Sequence, residues 1–327
     1  MRALVTGGAG FVGRHLCHAL LEQGWDVVCV DPIVPRTGGL RPEHWPLYDP
    51  TTYKGFTWVE QDCREYFRKD ETFDYAFHLA AMVGGRLMIE YDPLAVAEDL
   101  AIDADFFRWA LRTRPKKNVF FSSSAAYPIS LQTFENSHIL TEDMIDFDTK
   151  LGMPDLSYGW AKLTGEYLAR LAHKNYDMDM VCYRPFSGYG EDQDLTYPFP
   201  SVCRRALEFK GQDVLTVWGS GDQSRDFIHI TDAIRFVMES MNKVSNGEAI
   251  NLSTGRKTTF KEFARIAANV VGYDPTIIGT SDKPEGVFAR VGDTALQEKL
   301  GLTPTITFEE GVRRGVEYQG RLLGQSL

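Results

Sequence analysis

Tyr158 and Lys162 are spaced to share one face of a helix, and a phenol beside an ammonium is a pairing on which proton transfer can be built. A neighbouring positive charge favours the phenolate. A second positive charge nearby would help draw the phenol from its ordinary value of about 10 toward neutrality. Such a phenolate can take the proton of a hydroxyl while the adjacent carbon gives up a hydride. That chemistry needs a hydride acceptor, and an acceptor with a positively charged ring would supply the second charge.

The sequence offers a seat for one. Thr6-Gly7-Gly8-Ala9-Gly10-Phe11-Val12-Gly13 follows the apolar run Arg2–Val5 and leads into a helical pattern from Arg14 to Gln23. The glycines therefore fall at a strand-to-helix turn, where oriented N–H groups face a pyrophosphate. Gly7 suits the tight turn, Gly10 a close backbone approach to the ligand, and Gly13 close packing of helix on strand; Phe11 and Val12 open the helix between them. A second apolar strand, Trp25 to Val30, ends in Asp31, whose carboxylate can accept bonds from ribose hydroxyls and would repel a 2′-phosphate. The expected cofactor is NAD rather than NADP.

The elements that must position these residues alternate regularly. Strand candidates are Arg2–Val5, Trp25–Val30, Phe56–Glu60, Tyr75–Leu79, Asn118–Ser122 and Met178–Arg184, and helical patterns include Leu94–Thr113 and Tyr158–Lys174. The alternation predicts an α/β fold of Rossmann type, a doubly wound parallel sheet, with the cofactor domain over residues 1–184. Beyond Arg184 the chain becomes rich in loops, around Pro185, Gly188, Gly190, Pro198, Pro200 and Gly219-Ser220-Gly221. A smaller C-terminal α/β substrate lobe is predicted from residues 185–226 and 256–327.

Composition narrows the class of function. A hydrophobic content of 43% over 327 residues supports a large core, and a net charge of −10 argues against a general nucleic-acid or membrane surface. Cys17, Cys29, Cys63, Cys182 and Cys203 show no metal-ligand spacing and read as reduced, mostly packed thiols. The seven histidines are scattered, so no metal site is expected. With no secretory pattern at the first residues and no run long enough to span a bilayer, a cytoplasmic location is expected.

The spacing of Gly7, Gly10 and Gly13 resembles that of the extended short-chain dehydrogenase/reductase family, the nucleotide-sugar epimerases, dehydratases and reductases. The likeness continues in family order. Asp62-Cys63-Arg64 resembles the segment whose Asp meets the adenine amine, and the next residue adds a backbone contact. His78-Leu79-Ala80-Ala81 resembles the segment along the cofactor's ribose and nicotinamide side, which implicates Leu79, Ala80 and Ala81. Tyr158-Gly159-Trp160-Ala161-Lys162 is similar to the family's catalytic pair, with Lys162 also reaching the ribose. In Phe120-Phe121-Ser122-Ser123-Ser124-Ala125-Ala126-Tyr127-Pro128 the resemblance selects Ser123 as the third catalytic residue, bonding the reacting sugar oxygen and holding Tyr158. The resemblance also implies returning segments of the cofactor domain near 227–255.

Departures from the family pattern limit the reaction. Sugar 4,6-dehydratases carry Asp-Glu where this chain has Ser124 and Ala125, which disfavours dehydration. The segment, with Val83-Gly84-Gly85 upstream and Val217-Trp218-Gly219-Ser220-Gly221 downstream, most resembles the GDP-sugar branch that includes GDP-fucose synthase and GDP-mannose 3,5-epimerase. Those enzymes place a Cys at the position of Ala125 and a His or Lys in the loop after the sixth strand, and Glu191 to Pro200 contains neither. Ser187 stands for the expected substrate-contacting Asn, Glu191 for a Pro, and Asp99 for an Asn on the fourth helix.

The resemblance implies a nucleotide-diphosphate sugar, preferably a GDP-hexose, as substrate. Arg225 and Arg290 are expected at its diphosphate, with Arg204 or Arg205 as a third cation and Trp218 against the base. Gly85, Arg86, Ser124 and Ser187 complete the expected substrate set. The reaction expected is an NAD-dependent isomerisation, either epimerisation at one carbon or a pyranose–furanose mutase step, since a cofactor regenerated each turnover fits NAD. A dehydrogenase or reductase with net cofactor turnover and a noncatalytic dinucleotide sensor are the alternatives. Phe106, Phe107 and Trp109 do not share one narrow stripe of the fourth helix, and an exposed aromatic patch there predicts a homodimer through residues 94–113 and 158–174.

Overall fold

Strands rich in Val, Ala, Phe and Cys, with no alternation of polar residues, are those of a sheet covered on both faces. In the computed structural model, which describes residues 1–34, 37–82, 85–280 and 286–325, they assemble as expected. Seven strands, β1 (Arg2–Thr6), β2 (Asp26–Val30), β3 (Phe56–Val59), β4 (Tyr75–His78), β5 (Lys117–Phe121), β6 (Met180–Pro185) and β7 (Asn246–Leu252), form one sheet in the order 7-6-5-4-1-2-3. Pairings from β3 through β2, β1, β4 and β5 to β6 are all parallel. The order reverses between β1 and β4, and in such sheets ligands bind beyond the carboxyl ends of the strands at that point.

The chain divides into two compact units. The first comprises Met1–Tyr127, Ile145–Pro185 and Ile234–Ile250. The second comprises the described residues of Pro128–Met144, Phe186–Ala233 and Asn251–Leu327. The division is thus discontinuous, and it differs in detail from the boundaries read off the sequence: residues 128–144, 227–233 and 251–255 group with the second unit, and Pro185 with the first.

Three helices of the first unit matter for the site: α1 (Phe11–Glu22), α2 (Asp99–Thr113) and α3 (Leu156–Tyr176). The helix expected over 94–113 is interrupted. Pro93–Val96 forms one short turn, and α2 begins only at Asp99. Its aromatics also differ from expectation: Phe106, Phe107 and Trp109 are all buried inside the unit, leaving no exposed aromatic patch on α2 itself. The core reaches α2 from two sides, since Trp109 stacks on Phe67 at 5.4 Å while Phe107 packs against Phe120 of β5 at 5.8 Å. Side chains 106, 107 and 109 therefore need no common stripe.

Two glycines seat α3. A Cβ on Gly165 would lie 2.1 Å from the Phe120 ring, and one on Gly159 would lie 2.4 Å from the Ala125 carbonyl oxygen. Neither space exists for a side chain, so the helix approaches the end of β5 more closely than any larger residue would permit.

In the second unit a four-stranded sheet runs in the order Thr258–Thr259, Ser224–Arg225, Ala289–Gly292, Ile139–Leu140. Helices Pro198–Glu208, Phe260–Val271 and Phe308–Leu322 enclose a core of Phe199, Phe227, Phe263, Phe308 and Val312. No described helix is long and apolar enough to cross a membrane.

Candidate active site

Tyr158, Lys162 and Glu166 recur every four residues along α3 and so lie in one row on its face. The Ser123 hydroxyl lies beside the Tyr158 phenol, close enough to favour its ionised form. Ser123 follows β5 and caps the short turn after it, where its Oγ accepts the Ala125 N–H at 3.1 Å. The Lys162 ammonium is buried, 5.8 Å from the centre of the Tyr158 ring and 5.3 Å from that of Phe120. The three expected catalytic residues are thus brought together by α3 and the end of β5.

Their electrostatics differ from the sequence-based expectation. Burial, the largest influence, raises the Tyr158 phenol; Lys162 and the Ser123 hydroxyl lower it, while Asp99 and Asp103 raise it. The net direction is upward. Lys162 within the folded chain therefore does not by itself bring the phenol toward neutrality, because burial outweighs it and two carboxylates add to the opposition. Burial pulls the Lys162 ammonium down, but Asp103, Tyr158 and Asp99 together raise it above its ordinary value.

Those carboxylates stand four residues apart on α2 and are almost wholly enclosed. Asp99 Oδ1 accepts the Met82 N–H at 2.5 Å, and burial pushes its carboxyl up to about 6 against the pull of Lys162. Asp103 Oδ1 lies 3.1 Å from His78 Nε2, and His78 Nδ1 lies 2.7 Å from Thr6 Oγ1. Burial lowers the His78 imidazole, so the ring is neutral. A carboxylate only accepts, which assigns the proton to Nε2 and makes Nδ1 the acceptor of the Thr6 hydroxyl. Among the described residues, Asp99 Oδ2 and Asp103 Oδ2 have no hydrogen-bond partner.

The expected cofactor residues gather at the carboxyl ends of β1, β2 and β4. Gly7 adopts φ +72°, and a Cβ there would meet Ala80 N at 2.6 Å; a Cβ on Gly13 would meet the Gly7 carbonyl at 2.4 Å. Gly10 is different: its Cβ would touch only the Gly7 carbonyl, at 3.3 Å, so its other side is open. Phe11 and Val12 begin α1, whose N-terminus follows Gly10. Asp31 closes β2 beside this turn, with Oδ2 accepting the Ala9 N–H at 3.2 Å and Oδ1 the Ile33 N–H at 2.8 Å. Leu79, Ala80 and Ala81 run on from β4 against Gly7. A cradle in which two glycines are forced by contact and the third faces open space fits a dinucleotide pyrophosphate. Asp62 caps the turn Cys63–Tyr66, and its carboxylate is engaged by the Arg64 guanidinium at 2.6 Å; Cys63 is buried.

The expected substrate residues are less uniform. Arg86 is clamped on Asp155 by two 2.9 Å contacts and also bonds Glu90, so its guanidinium orders the segment before α3. Gly85 adopts φ +77°, and Ser124 is buried in the turn after Ser123. Val83 and Gly84 lie outside the described residues. In the second unit, Arg225 and Arg290 are register partners on adjacent parallel strands and therefore project from the same face. Arg290 Nε donates to Gln132 Oε1 at 2.6 Å, and Arg225 Nη1 donates to the Val287 carbonyl at 2.9 Å. Trp218 is partly exposed at the end of Val214–Trp218. Arg204 pairs with Glu208 along its own helix, and Arg205 bonds Thr216. Ser187 starts Ser187–Tyr189, its N–H bonded to the Asp226 carbonyl at 2.9 Å. Glu191 sits 3.4 Å from His229, which gives that unexpected carboxylate a partner.

Sequence reasoning missed Asp103, Gly159 and Gly165, and recorded Asp99 only as a departure. The signal available was the four-residue spacing of two acids on the helix face that also carries Ile102 and Phe106.

Comparison with known proteins places the chain among nucleotide-sugar enzymes. The model of the NAD dependent epimerase/dehydratase family matches residues 3–253. A putative GDP-L-fucose synthase of Arabidopsis thaliana is 26% identical, over 97% of this chain and 91% of its own. A putative UDP-glucose 4-epimerase of Methanocaldococcus jannaschii is 27% identical, over 96% and 97%. Among solved structures, UDP-glucuronic acid 4-epimerase from Bacillus cereus, in complex with UDP-glucuronic acid and NAD, superposes with a TM-score of 0.81 at 25% identity, covering 98% of this chain and 100% of that one.

Proposed function

The chain belongs to the NAD dependent epimerase/dehydratase family, and from that premise we propose that it isomerises a nucleotide-diphosphate sugar, preferably a GDP-hexose, without net consumption of cofactor. The observation that carries this reading is the meeting of Ser123, at the turn after β5, with Tyr158 on the face of α3 that also bears Lys162. The glycine turn and Asp31 would hold NAD, which supplies a reversible hydride acceptor when bound. Tyr158 takes the proton of a ring hydroxyl and later returns it. Ser123 fixes the sugar oxygen and the phenol in a common geometry, and Lys162 favours the phenolate.

Position 125 carries only a buried methyl group, which cannot shuttle a proton to ring carbons. Epimerisation at one carbon and pyranose–furanose rearrangement are the isomerisations that Tyr158 alone can serve. Arg225 and Arg290, side by side, suit a diphosphate, with Trp218 available to a nucleobase. The preference for GDP is supported by the Arabidopsis relative. Five unpaired, buried cysteines favour a reducing compartment such as the cytoplasm. A homodimer through α2 and α3 is supported by the exposed Leu100, Trp160 and Tyr167, and sedimentation showing only monomer at micromolar concentration would remove it.

The reaction is tested by incubating NAD-loaded protein with GDP-, UDP- and dTDP-hexoses and following the products by NMR. Conversion of a GDP-hexose to an isomer without accumulation of NADH is expected. Stoichiometric NADH would replace the isomerase with a dehydrogenase.

A further inference from the structure

The resemblance that places an Asn on the fourth helix leaves Asp99 as an added negative charge, and the structure shows where that charge acts. Asp99 and Asp103 occupy successive turns of the buried face of α2, which packs against α3. The charged and titratable groups around them are Lys162 and Tyr158 on α3, Glu98 just before α2, His78 at the end of β4, and the thiols of Cys63 and Cys182. The His78 imidazole is neutral for the reasons given above, Glu98 is paired with Arg64 at 2.7 Å, and burial holds both thiols protonated. The charges that remain to interact are one ammonium, one phenol and two carboxyl groups.

We propose that Asp99, backed by Asp103, is a positioning residue that sets the charge balance of the catalytic pair: its carboxylate retains the Lys162 ammonium in the core and offsets that ammonium's pull on the Tyr158 phenol. An amide at position 99 would accept the same Met82 N–H bond and occupy nearly the same volume. What the carboxylate adds is charge alone. Its effect is a Tyr158 that ionises at higher pH and is a stronger base once ionised. The inference rests on the reading of Tyr158 as the proton acceptor.

The test is a spectrophotometric titration of tyrosinate in NAD-loaded protein, with Tyr158→Phe subtracted to isolate the one phenol. In Asp99→Asn the Tyr158 midpoint is expected to fall by about one pH unit, a roughly tenfold gain in phenolate at a fixed pH below it. Asp99→Glu, which keeps the charge, is expected to move the midpoint back toward the wild type. Should Asp99→Asn not fold, Asp103→Asn, which keeps an acceptor for His78, is expected to shift the midpoint in the same direction. An unmoved midpoint in the amide variants, or an equal shift in Asp99→Glu, overturns the assignment. The titration requires no turnover. A shifted midpoint in protein that converts no nucleotide sugar would sink the proposed reaction and leave the role of Asp99 standing.

Discussion

One helical turn of α3 separates two buried charge centres built on opposite principles. At Glu166 every polar atom is occupied: its two oxygens take Arg184 Nε and Nη2 at 2.9 and 2.7 Å, Ser122 donates to it, and Arg184 Nη1 donates to Tyr127 Oη at 3.0 Å. At Lys162 the ammonium instead faces the rings of Phe120 and Tyr158 and two carboxyl groups with idle oxygens among the described residues. Buried ions are tolerated when fully hydrogen-bonded, and breaking such a pair leaves an uncompensated charge. The Glu166 centre is therefore a staple joining α3 to β5 and β6. The Lys162 centre keeps its polarity uncommitted, which is what proton transfer requires and what stability alone would not retain.

Breaking the open centre at its reactive atom has the largest expected effect. Tyr158→Phe removes one oxygen and is expected to lower kcat by about 10²–10⁴, with NAD affinity and unfolding midpoint nearly unchanged. Steady-state rates beside a denaturant melt check it, and an unchanged rate would exclude Tyr158 as the base. The closed centre should respond in the opposite sense. Glu166→Ala strands Arg184 in the core, and urea unfolding is expected to show a loss of about 3–5 kcal/mol; a loss below 1 kcal/mol would make the pair a bystander.

A smaller effect distinguishes the centres by pH. The folded Asp99 carboxyl, at about 6, lies above its unfolded value of about 3.9, so the native state binds the proton more tightly. Stability from this group is complete below the unfolded value and is lost as pH rises through the folded one. The wild type is expected to lose about 2–3 kcal/mol relative to Asp99→Asn between pH 4 and pH 7. Parallel melts of the two proteins across that range measure it, and parallel stability curves would contradict the burial of a strained charge. The smallest effect lies at the cofactor seat. Asp31→Asn preserves an acceptor for the Ile33 N–H while removing charge, and is expected to narrow any preference for NAD over NADP by about tenfold in titrations of stripped protein.

Much of the fold was legible because its signals are local. Each of β1 to β6 coincides with a predicted apolar run to within two residues at either end, and the glycine turn falls where β1 passes into α1. The helix of residues 94–113 was misread for a non-local reason. Periodicity describes a helix against a flat partner, whereas α2 is packed by β5 on one side and by the Phe67 region on another, so aromatics on different stripes all find cover. The same limitation applied to Arg86, expected at the substrate, because nothing local in the sequence hints at Asp155, 69 residues away.

What the sequence by itself determined are features written in residue type and short spacing: the strand-turn-helix with its glycines, the acid after β2, and the Tyr158–Lys162 pairing at one helical repeat. Only the tertiary structure decided how strongly those groups act. Whether a phenol beside an ammonium is acidic depends first on burial and then on every charge within a few ångströms, and the charges that oppose Lys162 here, Asp99 and Asp103, come from a helix some 60 residues earlier in the chain. Electrostatic interaction follows distance in space, which chain order does not encode.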